Sequence, residues 1–236
     1  MSDKPFRFKQ FEIHQSHSAM KVGTDGVLLA AWANVKDAKK ILDVGTGTGV
    51  IALICAQRNS ESLIDAIEID AGSANDARAN FSQSSWRDRL NLVEDDFLHH
   101  TFDQSYDLII SNPPYFTHSL RATNPSRNAA RHDDSMPASE FLKKASGRLN
   151  DNGLVSVIFP KDSLERWSEE AHNFGLNASR VCHVFTLPTK DSVRVMVEFS
   201  RNEIHEAVME SILIETRRGE ISEAYKQMVK DYYIKW

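Results

Sequence analysis

The stretch "ILDVGTGTGV", residues 41–50, decides the fold. Its opening residues are apolar enough for a buried strand. Glycines follow at 45, 47 and 49, and an apolar run of helical length begins at once. Glycine permits a tight turn and lets a ligand approach the backbone with no Cβ in the way. A nicotinamide-type GxGxxG loop would need glycine at position 50, which is Val50; the pattern here is DxGxGxG. Asp43, just before the loop, would repel a pyrophosphate and suits a cationic ligand.

Outward from this loop, short apolar runs alternate with amphipathic ones. Strands are expected over 39–45, 63–69, 90–94, 106–111 and 153–160, with helices over 24–33, 50–58, 72–83, 138–149 and 163–174. Strands rich in Ile, Leu and Val on both faces, separated by helices, indicate a mainly parallel sheet covered on both sides. The pattern then changes. "ASRVCHVFTLP" and "SVRVMVEFS", joined by "TKD", resemble an antiparallel hairpin, and a late strand "AVMESILIE" and a helix over 222–231 follow. With no repeat and no linker, the expectation is one α/β domain. Residues 1–38 form an N-terminal extension and helix, 39–200 a catalytic core, and 201–236 a C-terminal strand and helix.

A chain of 236 residues with 41% hydrophobic content suffices for one ordinary core. No apolar run reaches membrane length, so no membrane partner is expected. Cys55 and Cys182 lie far apart in apolar segments and read as reduced core residues of a cytoplasmic protein. No CxxC occurs, and His99 and His100 beside acids read as a polar loop, so no metal is expected. The net charge of −5 argues against nucleic acid, but its distribution softens that objection. Residues 61–107 hold eleven acids against three bases, whereas 112–148 hold six bases against three acids. A basic pole on the second segment can meet phosphates while the remainder repels them.

Further candidates fall at successive strand ends, where open α/β sheets bind ligands. Glu68 ends the second strand and can accept both hydroxyls of a ribose; Asp70 reads as the cap of the next helix. After the third strand, Asp96 is an acceptor for an adenine amino group and Phe97 a ring to cover the base. A ligand that joins a nucleoside to an ammonium and a sulfonium, S-adenosyl-L-methionine, answers all these features together with Asp43. After the fourth strand comes "SNPPYF" (111–116). Pro113 and Pro114 cannot donate to a sheet and each fixes its own backbone. An exocyclic amine is a poor nucleophile because its lone pair is delocalised into the ring. The Asn112 side-chain oxygen and the Pro113 carbonyl can accept its two N–H groups, leaving the lone pair free to point at a methyl donor. Tyr115 can stack on a flat substrate, including a base flipped out of its helix.

"ILDVGTGTGV", "IEID", "DDF" and "SNPPY" together resemble the class I S-adenosylmethionine-dependent methyltransferases that modify planar amino nitrogens. The resemblance implies a Rossmann-like class I methyltransferase fold: α/β, with a mostly parallel seven-stranded sheet and a C-terminal antiparallel hairpin. NPPY alone is shared by DNA adenine-N6, RNA adenine-N6 or guanine-N2, and protein glutamine-N5 enzymes. Residues 6–33, the segment after NPPY and "YKQMVKDYYIKW" resemble the bacterial tRNA1(Val) adenine-N6-methyltransferases, which implies tRNA as partner and the adenine next to the anticodon as target. In that family "KVGTDG" lies near the methionine part of the cofactor, which adds Lys21, Thr24 and Asp25 to the cofactor residues, and Asn112 is counted with them as well; Thr24 or Asp25 also reads as a helix N-cap. Arg121, Arg127 and Arg131 lie in a loop placed to act as a lid or phosphate clamp, Arg131 foremost. A glutamine-N5 enzyme and a catalytically silent cofactor- or RNA-binding module stay open as alternatives, and nothing in the sequence fixes an oligomeric state.

Overall fold

Alternate residues of the central strands are buried on opposite faces of one sheet in a computed structural model of the chain, which describes residues 4–18, 20–113 and 136–235. The strands are β3 (Lys40–Val44), β4 (Leu63–Glu68), β5 (Leu90–Glu94), β6 (Tyr106–Ser111), β7 (Leu149–Pro160), β8 (Asn177–Phe185), β9 (Arg194–Ser200) and β10 (Val208–Leu213). Their order is β10-β8-β9-β7-β6-β3-β4-β5. Ile41, Leu108, Ile110 and Ile158 enter one buried cluster; Leu42, Ile109, Val157 and Phe159 enter the other. The period of two thus makes these strands apolar throughout, because helices cover both faces.

Helices α1 (Thr24–Trp32), α2 (Val50–Arg58), α3 (Ala71–Gln83) and α6 (Glu223–Val229) contribute to the first cluster; α4 (Ala138–Ser146) and α5 (Leu164–Asn173) contribute to the second. β3 pairs in parallel with both β4 and β6, and β9 runs antiparallel between β7 and β8. The mostly parallel sheet and the C-terminal antiparallel hairpin expected from the sequence are both present, with one strand more than the seven expected. β10 lies parallel to β8 at the sheet edge, where Val208 and Met209 stay exposed.

Several boundaries differ for local reasons. The helix expected to reach residue 149 stops at Ser146, with Gly147 as its C-cap, and "LNDN" joins β7 instead. The hairpin loop spans 186–193 rather than three residues. Two small pairs were not anticipated: β1 (Phe6–Arg7) with β2 (Glu12–Ile13), and β11 (Glu215–Arg217) with β12 (Glu220–Ile221). Strands of two or three residues carry no readable period. The first pair packs against the C-terminal segment, where Phe8 bridges to Tyr233 and the Lys9 N–H donates to the Tyr232 carbonyl at 2.8 Å.

Gly49 is the N-cap of α2, with φ of +84°. A Cβ there would lie 2.4 Å from Cε1 of Phe81, which packs into the space a side chain would fill. Gly49→Ala combines left-handed backbone strain with overpacking, and is expected to cost about 3 kcal/mol. A urea denaturation midpoint lowered at unchanged slope checks this.

Candidate active site

The glycine loop leaves β3 while its neighbours are still in register. Val44 is opposite Ile67 on one side and Ser111 on the other. The ladder continues past the strand ends: Gly45 and Thr46 N–H groups both donate to the Ile67 carbonyl, at 2.9 and 3.1 Å, and the Asp95 N–H donates to Glu68 O at 3.0 Å. The Ser111 hydroxyl also donates to the Val44 carbonyl at 2.8 Å. Asn112 and Gly45 are each one residue beyond this paired position, on strands that lie about 4.8 Å apart. The register therefore brings the start of the NPPY segment beside the glycine loop, with Glu68 on the next strand.

Asp43 is fully buried beneath the loop. Its Oδ2 accepts from the Thr46 hydroxyl at 2.6 Å and from the Ala52 N–H, in the first turn of α2, at 3.1 Å. Its Oδ1 has no partner among the described residues. Burial pushes its pKa up to about 7; the Thr46 and Ala52 hydrogen bonds oppose the rise and the nearby Glu68 charge adds to it. A buried carboxylate with one unanswered oxygen is costly unless a donor, best a cation, reaches it.

Glu68 supports the loop from the other side. Oε2 accepts from the Gly47 N–H at 2.8 Å and Oε1 from the Asp70 N–H at 2.9 Å. Each oxygen keeps a second lone pair for a hydroxyl. Asp70 caps α3 as the sequence suggests, accepting from the Ser73 N–H at 2.8 Å. Gly45 and Gly47 have φ of +66° and +57°, and a Cβ built on either meets nothing within 4 Å, so open space lies against the loop backbone. Next to Glu68, Ile69 is 69% exposed, an apolar side chain at the rim of the crevice.

The other sequence candidates divide. Phe97 is corrected: its ring is 3% exposed and packs on Phe102 and Phe141, with centroids 5.9 and 5.5 Å away. The turn made by Asp96, whose Oδ1 accepts from the Leu98 N–H at 2.9 Å, sends the ring into the core. Ile69, which the sequence reading passed over, is the exposed apolar side chain that directly follows Glu68. Asp96 remains at the surface, 3.6 Å from the His99 ring. The α1 N-cap is Gly23, not Thr24 or Asp25. Asp25 instead pairs with Arg194 at 3.0 Å, and Lys21 Nζ donates to the carbonyls of Ser18, at 3.1 Å, and Gln15. Asn112 is half-buried and Pro113 buried. Pro114, Tyr115, Arg121, Arg127 and Arg131 lie outside the described residues.

The donor set fits S-adenosyl-L-methionine. Asp43 offers an acceptor suited to an ammonium, Glu68 acceptors suited to ribose hydroxyls, and the bare backbone of Gly45 and Gly47 admits close approach; a dinucleotide pyrophosphate would face two carboxylates. Comparison with known proteins agrees. A family model described as the methyltransferase small domain matches residues 12–167. The chain resembles a predicted O-methyltransferase of known structure from Agrobacterium tumefaciens, with a TM-score of 0.69 at 18% identity over 88% of this chain and 96% of that one. It also resembles an O-methyltransferase from neocarzinostatin biosynthesis solved with S-adenosylmethionine, with a TM-score of 0.53 at 15% identity over 75% of this chain and 53% of that one. At such identities these likenesses show the fold, that of the class I methyltransferases, and the family model makes the chain a methyltransferase of that class. A Bacteroides thetaiotaomicron protein named tRNA1(Val) (adenine(37)-N6)-methyltransferase is 40% identical over 235 residues, 99% of each chain. The chain belongs to that family.

Proposed function

We propose that this protein methylates the N6 amine of an adenine in tRNA, with adenine 37 of tRNA1(Val), the nucleotide in its relatives' name, as the target. The observation that carries the reading is the register that sets Asn112 and Pro113 beside the glycine loop, in a chain related to those enzymes along its whole length. A tRNA substrate implies a cytoplasmic enzyme working as one catalytic domain. Among the described residues no helix is long and apolar enough to cross a membrane.

When bound, S-adenosyl-L-methionine supplies an electrophilic methyl group on a sulfonium sulfur. Asp43 holds its ammonium end, Glu68 its ribose and Asp96 its adenine edge, under Ile69. The Asn112 side-chain oxygen and the Pro113 carbonyl accept the two N–H groups of the target amine and pull its lone pair out of conjugation. The ring of Pro113 fixes its φ and the following Pro114 restricts its ψ, so its carbonyl direction is narrowly set just past the paired strand end that carries Asn112, which favours one orientation of the amine. Once alkylated, the nitrogen is strongly acidic and sheds its extra proton to solvent, so no strong base is required. Tyr115, with Arg121 and Arg131, completes the reading from the sequence, as a stacking face for the flipped base and as phosphate contacts.

The test is transfer of labelled methyl groups to total unmodified tRNA, followed by nucleoside mass analysis. N6-methyladenosine is the expected product. N2-methylguanosine, or no methylated nucleoside at all, would overturn this reading in favour of one of the alternatives.

A further inference from the structure

Residues 14–18 and 20–22, which lead into α1, form a strap fastened to α3 by two buried side chains one turn apart, Asp76 and Asn80. Asp76 Oδ2 accepts from the N–H groups of His17 and Ser18, at 2.9 and 2.7 Å, and from the Ser18 hydroxyl at 2.8 Å; Oδ1 lies 2.9 Å from the His17 ring. These hydrogen bonds hold the Asp76 carboxyl below its usual range, against the opposing effect of burial. The strap also closes on itself, the Val22 N–H donating to Gln15 Oε1 at 2.8 Å and Lys21 Nζ donating to the Ser18 carbonyl at 3.1 Å.

Asn80 does more than fasten. Its Oδ1 accepts from the His14 N–H at 2.8 Å, while its Nδ2 donates to the His14 carbonyl at 2.8 Å and to the Thr48 carbonyl at 2.9 Å. Thr48 lies in the glycine loop, between the Gly47 amide bound to Glu68 and the cap residue Gly49, against which Phe81 of the same helix packs. An amide suits this place because it both accepts and donates; a carboxylate would turn an oxygen toward two carbonyls. One buried side chain thus ties the strap to the loop that faces the crevice, and neither can shift without breaking its hydrogen bonds.

We propose that Asn80, supported by Asp76, is a positioning residue for the cofactor site, locking strap and glycine loop into one wall. This rests on the reading of the crevice as the S-adenosyl-L-methionine site. Loss of the clip weakens cofactor binding and leaves the transfer step, made at Asn112, unaffected. In calorimetric titration Asn80→Ala is expected to raise the cofactor Kd about tenfold or more, with kcat at saturating cofactor within about threefold of wild type. Hydrogen exchange without cofactor should show the amides of 14–18 and 46–49 losing protection together. Asp76→Asn, which keeps one acceptor, should show the same pattern to a smaller degree, and provides the reading if Asn80→Ala fails to fold. Faster exchange confined to 14–18, with Kd unchanged, would reduce the pair to an anchor and overturn the proposal. Absence of cofactor binding by the wild-type protein would overturn the reading of the crevice instead, and the exchange measurement would still decide whether Asn80 couples the two segments.

Discussion

Asn112→Ala is expected to lower kcat by about 10²–10³ while changing the cofactor Kd by no more than about threefold. Asn112 starts the segment after β6, one residue past Ser111 and beside the glycine loop, whereas the proposed cofactor residues lie on β3, β4 and the loop after β5. On the proposed mechanism its hydrogen bond to the amine strengthens as that nitrogen becomes pyramidal and gains positive charge, so most of the loss falls on the transition state. The measurement pairs a calorimetric titration of cofactor with single-turnover methylation of tRNA. Equal loss in both would place Asn112 in the cofactor site. Asn112→Asp would keep an acceptor but add a third carboxylate at the same end of the sheet as Asp43 and Glu68, and only partial recovery is expected.

Asp43→Asn carries the second large effect, about 100-fold in cofactor Kd, because a buried acceptor for a cation loses its charge. Its pH dependence has a definite sign. The unfolded chain releases this proton near 3.8, and burial keeps it on the folded protein up to about 7. Between those values the unfolded state binds fewer protons, so the stability of the cofactor-free protein falls as pH rises. A bound ammonium favours the carboxylate, so cofactor affinity changes the other way, weakening about tenfold per unit as pH drops below 7. Asp43→Asn should flatten both dependences. Thermal midpoints and titrations from pH 5.5 to 8 measure them, and an unchanged slope in the variant would remove Asp43 from both roles.

Much of this architecture is legible locally. The DxGxGxG turn, the runs of Ile, Leu and Val, and the Asp70 cap each depend on neighbours a few residues away. What escaped the reading depends on distant partners. Phe97 and Ile69 are both apolar residues at strand ends; which one turns inward is settled by Phe102 and Phe141, not by either local sequence. Asp25 looks like a cap until Arg194 arrives from β9. Asp76 and Asn80 look like ordinary polar positions on a surface helix; their partners lie near residue 17 and in the glycine loop. The α4 end and the two short strand pairs were missed because a glycine stop and a two-residue strand override or carry no period.

The most direct test is single-turnover methylation of a tRNA1(Val) transcript with adenine at position 37, with the product mapped by mass. A single methyl group on N6 of that adenine, absent when the position is guanine, is the result this account predicts. A methyl group on a ring nitrogen, on a ribose oxygen or on another nucleotide, or equal transfer to the guanine transcript, would contradict it.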